Sequence, residues 1–228
     1  MPQPLRIQSF SLEGKSGYRT YLSGTALSRK PVDLDRAIQQ ADALRRAGKT
    51  EEVVAYPLSD SDMKKMIPTL KVVTYTELLN ANSLDDILDE KGRLMLLYLT
   101  ESAMQGHWVC LLKLRDKPVV EYFDPYGGFK ADGEKKWISK EKQREFGQDT
   151  NHLTKLLKSS PYTIKSSKVK FQKDKADVNT CGRHCLTRLY FKHLDLKQYA
   201  KMVEDACREG HMNPDEFVCG FTYNLIKR

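Results

Sequence analysis

Three side chains in the sequence have the types and the spacing of a nucleophilic centre. His107 begins a strand-like segment, Asp124 ends the next one, and Cys181 opens a helix-like segment. A hairpin between the first two would bring imidazole and carboxylate to the same end of a sheet, where facing side chains lie about 5 Å apart. The carboxylate would then orient the ring as the base of a triad. Because a helix dipole favours a thiolate at the helix N-terminus, the pattern predicts a Cys-His-Asp nucleophilic centre.

An amide side chain could complete this centre. Gln172 precedes Cys181 by nine residues, at the end of a strand-like segment. Such an amide can donate a hydrogen bond to the oxyanion that forms when a carbonyl is attacked, with the backbone N–H of Cys181 or Gly182 as a second donor. Since Gly182 has no Cβ, a substrate carbonyl can approach it closely. The arrangement therefore suits nucleophilic attack on a carbonyl carbon.

These motifs resemble those of the adenain-like cysteine proteases, the viral members of the superfamily that includes the SUMO- and ubiquitin-like-specific proteases. The matching residues, all within 55–205, are His107-Trp108, Phe123-Asp124-Pro125-Tyr126-Gly127, Gln172, Cys181-Gly182 and Cys185. The resemblance implies that His107, Asp124, Gln172 and Cys181 are catalytic. It also implies that Trp108 and Gly182 bind substrate, with Trp108 covering a narrow tunnel that admits small residues, chiefly glycine. The interval from Gln172 to Cys181 is longer than in the family, so Asn179 is an alternative oxyanion donor.

The resemblance leads us to expect a cysteine endopeptidase that cleaves viral structural or capsid precursor proteins during virion maturation. Its expected location is the virion and the cytoplasm of the infected host cell, at the site of virus assembly. A protease that removes SUMO- or ubiquitin-like modifiers is the alternative, since it would use the same residues. A second alternative is a non-catalytic nucleic-acid-binding or scaffold protein on the same fold.

The elements that must position these residues indicate an α+β fold. Apolar runs of strand length lie at 94–99, 107–114 and 119–123, and alternation predicts another strand at 162–171. Helical spacing predicts helices at 33–47, 60–66, 84–88, 151–157, 181–194 and 196–207. We expect a central mixed or antiparallel sheet packed against the helix that begins at Cys181, as in the adenain-like fold. Residues 1–50 are expected to form an N-terminal arm with one helix, and residues 51–228 the protease domain.

The composition is that of a globular protein. The chain has 228 residues, of which 40% are hydrophobic and 30% charged. No apolar run reaches the roughly 20 residues of a membrane-spanning helix, and residues 1–10 lack the apolar core of a signal peptide. Five cysteines in such a chain predict reduced thiols rather than a disulfide scaffold. We expect an intracellular monomer that needs no cofactor and has no membrane partner.

A zinc cluster is the metal-binding alternative, with Cys181, His184, Cys185, Cys207 and His211 as its ligands. Their spacing matches no common zinc finger or ribbon, so no metal site is expected. His184 lies about 300° around the helix from Cys181, at about 100° per residue, which predicts a surface or supporting role rather than that of the base.

Positive charge is concentrated in residues 134–175, which hold 12 basic and 5 acidic side chains. Within eleven residues of the stretch that leads to the nucleophile lie Lys165, Lys168, Lys170, Lys173 and Lys175. In a strand, Lys168 and Lys170 would share one face, and Val169 and Phe171 would pack on the other. This block predicts weak DNA binding through phosphate contacts, with an ordinary solvated lysine surface as the alternative.

Overall fold

A five-stranded mixed sheet organises residues 34–102, 105–114, 117–128 and 130–226, which are the residues described by the computed structural model. The strands are β1 (Val72–Thr74), β2 (Arg93–Ser102), β3 (Gln105–Lys113), β4 (Val119–Phe123) and β5 (Thr163–Ser166). They are adjacent in chain order, with β2, β3 and β4 antiparallel and the two edge strands parallel to their neighbours. The expected α+β class with a mixed sheet is confirmed.

Helices cover both faces of this sheet. They are α1 (Leu34–Arg46), α2 (Thr50–Ala55), α3 (Asp60–Met66), α4 (Lys140–Glu145), α5 (His152–Ser159), α6 (Cys181–Tyr190), α7 (Leu196–Glu209) and α8 (Pro214–Ile226). Short 3₁₀ segments span Thr76–Asn80, Asp85–Ile87 and Glu134–Trp137. None of the helices in the described ranges has the length and hydrophobicity that crossing a bilayer requires.

Both faces of β2, β3 and β4 are buried, which explains why these strands appear in the sequence as continuous apolar runs. One face, with Met95, Cys110 and Phe123, packs against α6, α7 and α8. The other, with Leu96 and Leu111, packs against α5 and the 3₁₀ segments. The helix that carries Cys181 is therefore held against the middle of the sheet, as expected.

Helix α8 was missed by the sequence analysis, although its start has clear signals. Asn213 accepts hydrogen bonds from the backbone N–H groups of Asp215 and Glu216, and Pro214 occupies the first helical position. The helix packs against α1, α2, α3, α6 and α7. A Cβ at Gly220 would lie 2.4 Å from the backbone oxygen of Ala37, so α1 and α8 cross in close contact.

Helix α1 lies within the part of the chain assigned to an N-terminal arm. Its buried Leu34, Ala37 and Ala41 belong to the same hydrophobic core as α6 and α8. Residues 1–33 of the expected arm lie outside the described residues, and the boundary at residue 50 stays a prediction.

The strand predicted over 162–171 is wrong in its second half, because β5 ends at Ser166. Its neighbour β4 ends at Phe123, so the chain beyond loses its strand partner. Phe171 and Gln172 instead donate their backbone N–H groups to the carbonyl of Pro125. Lys168 and Lys170 therefore lie in a loop, and Val169, which was expected to pack inward, is 42% exposed.

Candidate active site

His107 and Asp124 meet at one end of the sheet, as the hairpin predicts. The antiparallel register of β3 and β4 pairs Cys110 with Phe123, so His107 near the start of β3 lies close to Asp124, which directly follows β4. The Nε2 of His107 lies 2.9 Å from Oδ1 of Asp124, and both side chains are buried. The backbone N–H of Tyr126 donates to the same oxygen at 3.0 Å. The backbone of the turn after β4 therefore holds the Asp124 carboxylate in place, and the carboxylate orients the imidazole ring of His107.

Cys181 is the first residue of α6 and makes a side-chain hydrogen bond with His107. Because Nε2 of the imidazole is hydrogen-bonded to Asp124, Nδ1 is the ring nitrogen available for a bond with the thiol. Backbone hydrogen bonds with Trp108 and Gly182 also stabilise the thiolate. The structure thus brings together the three residues that the sequence proposes as a nucleophilic centre.

Opposing effects set the protonation states of Cys181 and His107. Burial raises the pKa of the Cys181 thiol, but the hydrogen bond and the charge of His107, with the two backbone bonds, bring it below its ordinary value. Burial lowers the pKa of His107, but hydrogen bonds with Asp124 and Cys181 raise it to about 10. Both shifts therefore favour a thiolate beside an imidazolium, and a thiolate is the reactive form of cysteine.

This charge state predicts the pH dependence of alkylation. We expect iodoacetamide to modify Cys181 rapidly at neutral pH, with little further increase until His107 loses its proton near pH 10. An ordinary thiol would instead react about tenfold faster for each pH unit up to its pKa. Mass spectrometry of the modified peptide against pH measures the profile, with His107→Ala as the variant that should restore the ordinary rise. A wild-type profile that climbs like an ordinary thiol would contradict the ion pair.

Apolar side chains pack closely around Gly182, next to the nucleophile. A Cβ at this position would lie 2.9 Å from the terminal methyl of Met63, 3.2 Å from Trp108 and 3.3 Å from Leu58. Met63 stands on α3, which begins at a Ser59 capping box. Trp108 stands on β3. Both expected substrate-binding residues thus lie beside Cys181, and the close contacts leave no room for a side chain at position 182.

The two candidate oxyanion donors are both close to the nucleophile in the chain but differ in setting. Gln172 is buried, and its Nε2 donates to the carbonyl of Val178 at 2.9 Å, with the hydroxyl of Tyr126 at 3.5 Å. Asn179 is exposed, and its amide donates to the carbonyl of Ala55 at 2.9 Å. The second N–H of the Gln172 amide makes only a long contact, so this N–H is available as a hydrogen-bond donor.

An aromatic chain that the sequence analysis did not assign leads from His107 to the surface. Tyr126 stacks on the His107 ring at 4.7 Å between centroids, and Trp137 meets Tyr126 edge-on at 5.5 Å. The indole of Trp137 is 51% exposed. Buried Gln143 donates to the carbonyls of Lys135 and Ile138 on either side of it, which fixes its backbone. An exposed tryptophan on a fixed backbone is suited to contact a bound peptide.

Of the two roles expected for His184, the surface role is wrong, because this side chain is fully buried. It packs against α8, where its Nε2 lies 3.0 Å from Oδ1 of Asp215. Cys185 is buried in the core, and its thiol donates to the carbonyl of Trp108, while burial raises its pKa well above the ordinary value. Neither side chain has the environment of the nucleophile or its base.

All five cysteines have free thiols. The described residues contain no group of three or more His, Cys, Asp or Glu side chains that could hold a metal ion. The lysines at 165, 168, 170, 173 and 175 are exposed, and the last four lie on the loop between β5 and α6.

Comparison with known proteins places the chain beside a viral protein. It is 35% identical over 166 residues to a protein of Sputnik virophage described as "Uncharacterized protein V9". The alignment covers 72% of this chain and 93% of the virophage protein. No protein-family model matches the chain.

Proposed function

Because the chain belongs to the family of the uncharacterized protein V9 of Sputnik virophage, we propose a viral function for it, that of a cysteine endopeptidase with an adenain-like fold. In this proposal it cleaves structural or capsid precursor proteins during virion maturation, in the virion and at the assembly site in the host cytoplasm. The single observation that carries the proposal is the buried His107 ring, bonded on one side to Asp124 and on the other to Cys181 at the start of a helix.

Acylation would begin with attack of the Cys181 thiolate on the carbonyl carbon of the scissile peptide bond. The oxygen becomes an oxyanion, which the Gln172 amide and the backbone N–H of Cys181 would stabilise. The His107 imidazolium then gives its proton to the leaving nitrogen as the C–N bond breaks. The products of this step are a free amine and a thioester on Cys181, with neutral imidazole beside it.

Deacylation would use the same groups in the reverse roles. His107 takes a proton from a water molecule, which attacks the thioester carbon through a second oxyanion. The C–S bond breaks, the new carboxyl product leaves, and Cys181 returns to the thiolate beside an imidazolium. Asp124 accepts a hydrogen bond from the ring throughout, so the ring keeps one orientation in both half-reactions.

Glycine next to the scissile bond is the substrate feature that the resemblance to the adenain-like proteases implies. Trp108, which the resemblance assigns to the wall of the tunnel, packs against Gly182 beside the nucleophile. The same feature suits the removal of a ubiquitin-like modifier that ends in Gly-Gly, which is the alternative proposal.

Two probes distinguish these proposals. A peptide with a glycine vinyl methyl ester at its C-terminus should label Cys181 irreversibly in the wild type and leave the Cys181→Ala variant unlabelled. A fluorogenic conjugate of a folded ubiquitin-like modifier tests the alternative. We expect turnover of glycine-containing peptides without turnover of the modifier conjugate, and the opposite pattern would favour deconjugation. The absence of labelling would contradict both proposals.

We further propose weak, sequence-independent DNA binding through the exposed lysines at 165, 168, 170, 173 and 175, which would concentrate the enzyme with its precursor in the assembling particle. The lysines need not lie on one strand face for this role, because phosphate contacts depend mainly on charge. An ordinary solvated lysine surface is the alternative.

The dependence of DNA affinity on salt concentration distinguishes the two interpretations of the lysine block. If the block binds phosphates, the logarithm of the affinity should fall with the logarithm of salt concentration, with a slope of about −0.9 for each phosphate neutralised. Fluorescence anisotropy of labelled duplex DNA at two low salt concentrations measures this. A variant with all five lysines changed to glutamine should bind more weakly and with a smaller slope. Equal binding by both proteins, or no binding by either, would exclude a role for the block.

A further inference from the structure

The loop between Gln172 and Cys181 is long, and its middle has few constraints of its own. Residues 173–177 are exposed, so this part of the loop contributes little to the core. The proposed oxyanion donor stands before the loop and the nucleophile directly after it. The Gln172 amide bonds the Val178 carbonyl across the loop, and Asn179 bonds the carbonyl of Ala55. A direct connection between Lys173 and Thr180, the two end residues of the loop, would add to these bonds and hold the donor toward the reacting carbonyl.

Asp215 on α8 makes this connection. Its Oδ2 accepts the backbone N–H of Lys173, the residue after Gln172, at 3.2 Å. Its Oδ1 accepts the hydroxyl of Thr180, the residue before Cys181, at 2.5 Å. Asp215 and Thr180 are both buried. One carboxylate thus holds both ends of the loop in a site that water does not reach.

His184 holds this carboxylate in place from a third direction. It lies one helical turn after Thr180 on α6, is fully buried, and contacts Oδ1 of Asp215 through Nε2 at 3.0 Å. Without Asp215, the hydroxyl of Thr180 and Nε2 of His184 would lose their hydrogen-bond acceptor in the protein interior. A buried donor that loses its acceptor destabilises the folded protein, so these bonds are strongly favoured.

We propose that Asp215 is a positioning residue, which closes the loop 173–179 and thereby fixes the Gln172 amide relative to the Cys181 thiol. The proposal rests on the proposed peptidase function for its kinetic consequence. It assigns a role to α8, a helix outside the motifs that carry the resemblance. It also explains how a long loop can separate two groups that must act on one carbonyl. The extra residues extend into solvent while the ends stay fixed.

Thr180→Val is the sharpest test, because it removes one of the bonds to Asp215 and nearly preserves shape. Changing Asp215 itself would leave His184 unpaired in the core and could unfold the protein. Thr180→Ser keeps the hydroxyl and should behave like the wild type. Thr187→Val is the matched control on α6, since its buried hydroxyl bonds only the Arg183 carbonyl one turn earlier.

Three measurements on the full-length variants test the proposal. With a fluorogenic glycine-containing peptide, we expect kcat of Thr180→Val to fall about 10- to 100-fold, the scale of a misplaced catalytic group, with KM nearly unchanged. Alkylation of Cys181 by iodoacetamide should keep its wild-type rate, because that reaction forms no oxyanion. Amide hydrogen exchange across residues 172–180 should accelerate in Thr180→Val and not in Thr180→Ser or Thr187→Val.

The outcomes separate this inference from the peptidase proposal. Wild-type protein without turnover would contradict the peptidase function, while the exchange measurement still tests the closure of the loop. Exchange across 172–180 that is equal in Thr180→Val and Thr187→Val would overturn the positioning role. So would a kcat of Thr180→Val that matches the Thr187→Val control.

Discussion

Replacing Cys181 with alanine should abolish peptidase turnover while leaving the fold intact. The thiolate forms the covalent bond with the substrate, and no other group at the site can take its place. Loss of the nucleophile from a comparable catalytic unit lowers kcat by roughly 10⁶. Turnover of a fluorogenic glycine-containing peptide measures the effect, and thermal unfolding checks the fold. His107→Ala should cause a similar loss by removing the base, whereas Asp124→Asn keeps an acceptor oxygen for the ring and should lose less.

Cys185→Ala is the matched control for this prediction. Cys185 lies one turn further along α6 and is fully buried, but its raised pKa keeps it protonated. We expect its replacement to leave turnover near the wild-type level. Loss of activity in Cys185→Ala together with activity in Cys181→Ala would show that the nucleophile is misassigned.

Replacing Gln172 with alanine should lower kcat by roughly 10²–10³-fold, the usual effect of losing one oxyanion donor. KM should change little, because the donor acts mainly as negative charge develops on the carbonyl oxygen. Steady-state kinetics with the same peptide measures both constants. Asn179→Ala is the control, since that amide is exposed and already donates to Ala55. Unchanged kcat in Gln172→Ala would shift the role to Asn179 or to backbone amides alone.

The centre of the sheet and the three-residue site could be predicted because local sequence determines them. The apolar runs of β2, β3 and β4 are buried on both faces, which leaves a strong signal in the sequence. His107 and Asp124 belong to one hairpin, so short-range spacing alone brings them together. Cys181 joins them because α6 packs against β3, as its position at the start of an amphipathic helix suggests.

The features that could not be predicted depend on contacts between distant parts of the chain. The end of β5 is set by the end of β4, which alternation within 162–171 does not reveal. Asp215 reaches the nucleophile's neighbour from a helix that begins more than thirty residues later in the chain. Its capping signal identifies the helix, but no local pattern tells which side chain will face Thr180. Trp137 is likewise brought to His107 only through Tyr126.

Incubation of the wild-type protein and Cys181→Ala with candidate capsid precursors, followed by N-terminal sequencing of the fragments, tests the central proposal most directly. The sequencing identifies the residues on both sides of each cut once the fragments are aligned with the precursor. We predict discrete fragments from the wild type, with glycine beside the cleaved bond, and intact precursor with Cys181→Ala. Intact precursor with both proteins, or the same fragments with Cys181→Ala, would contradict a cysteine endopeptidase centred on Cys181.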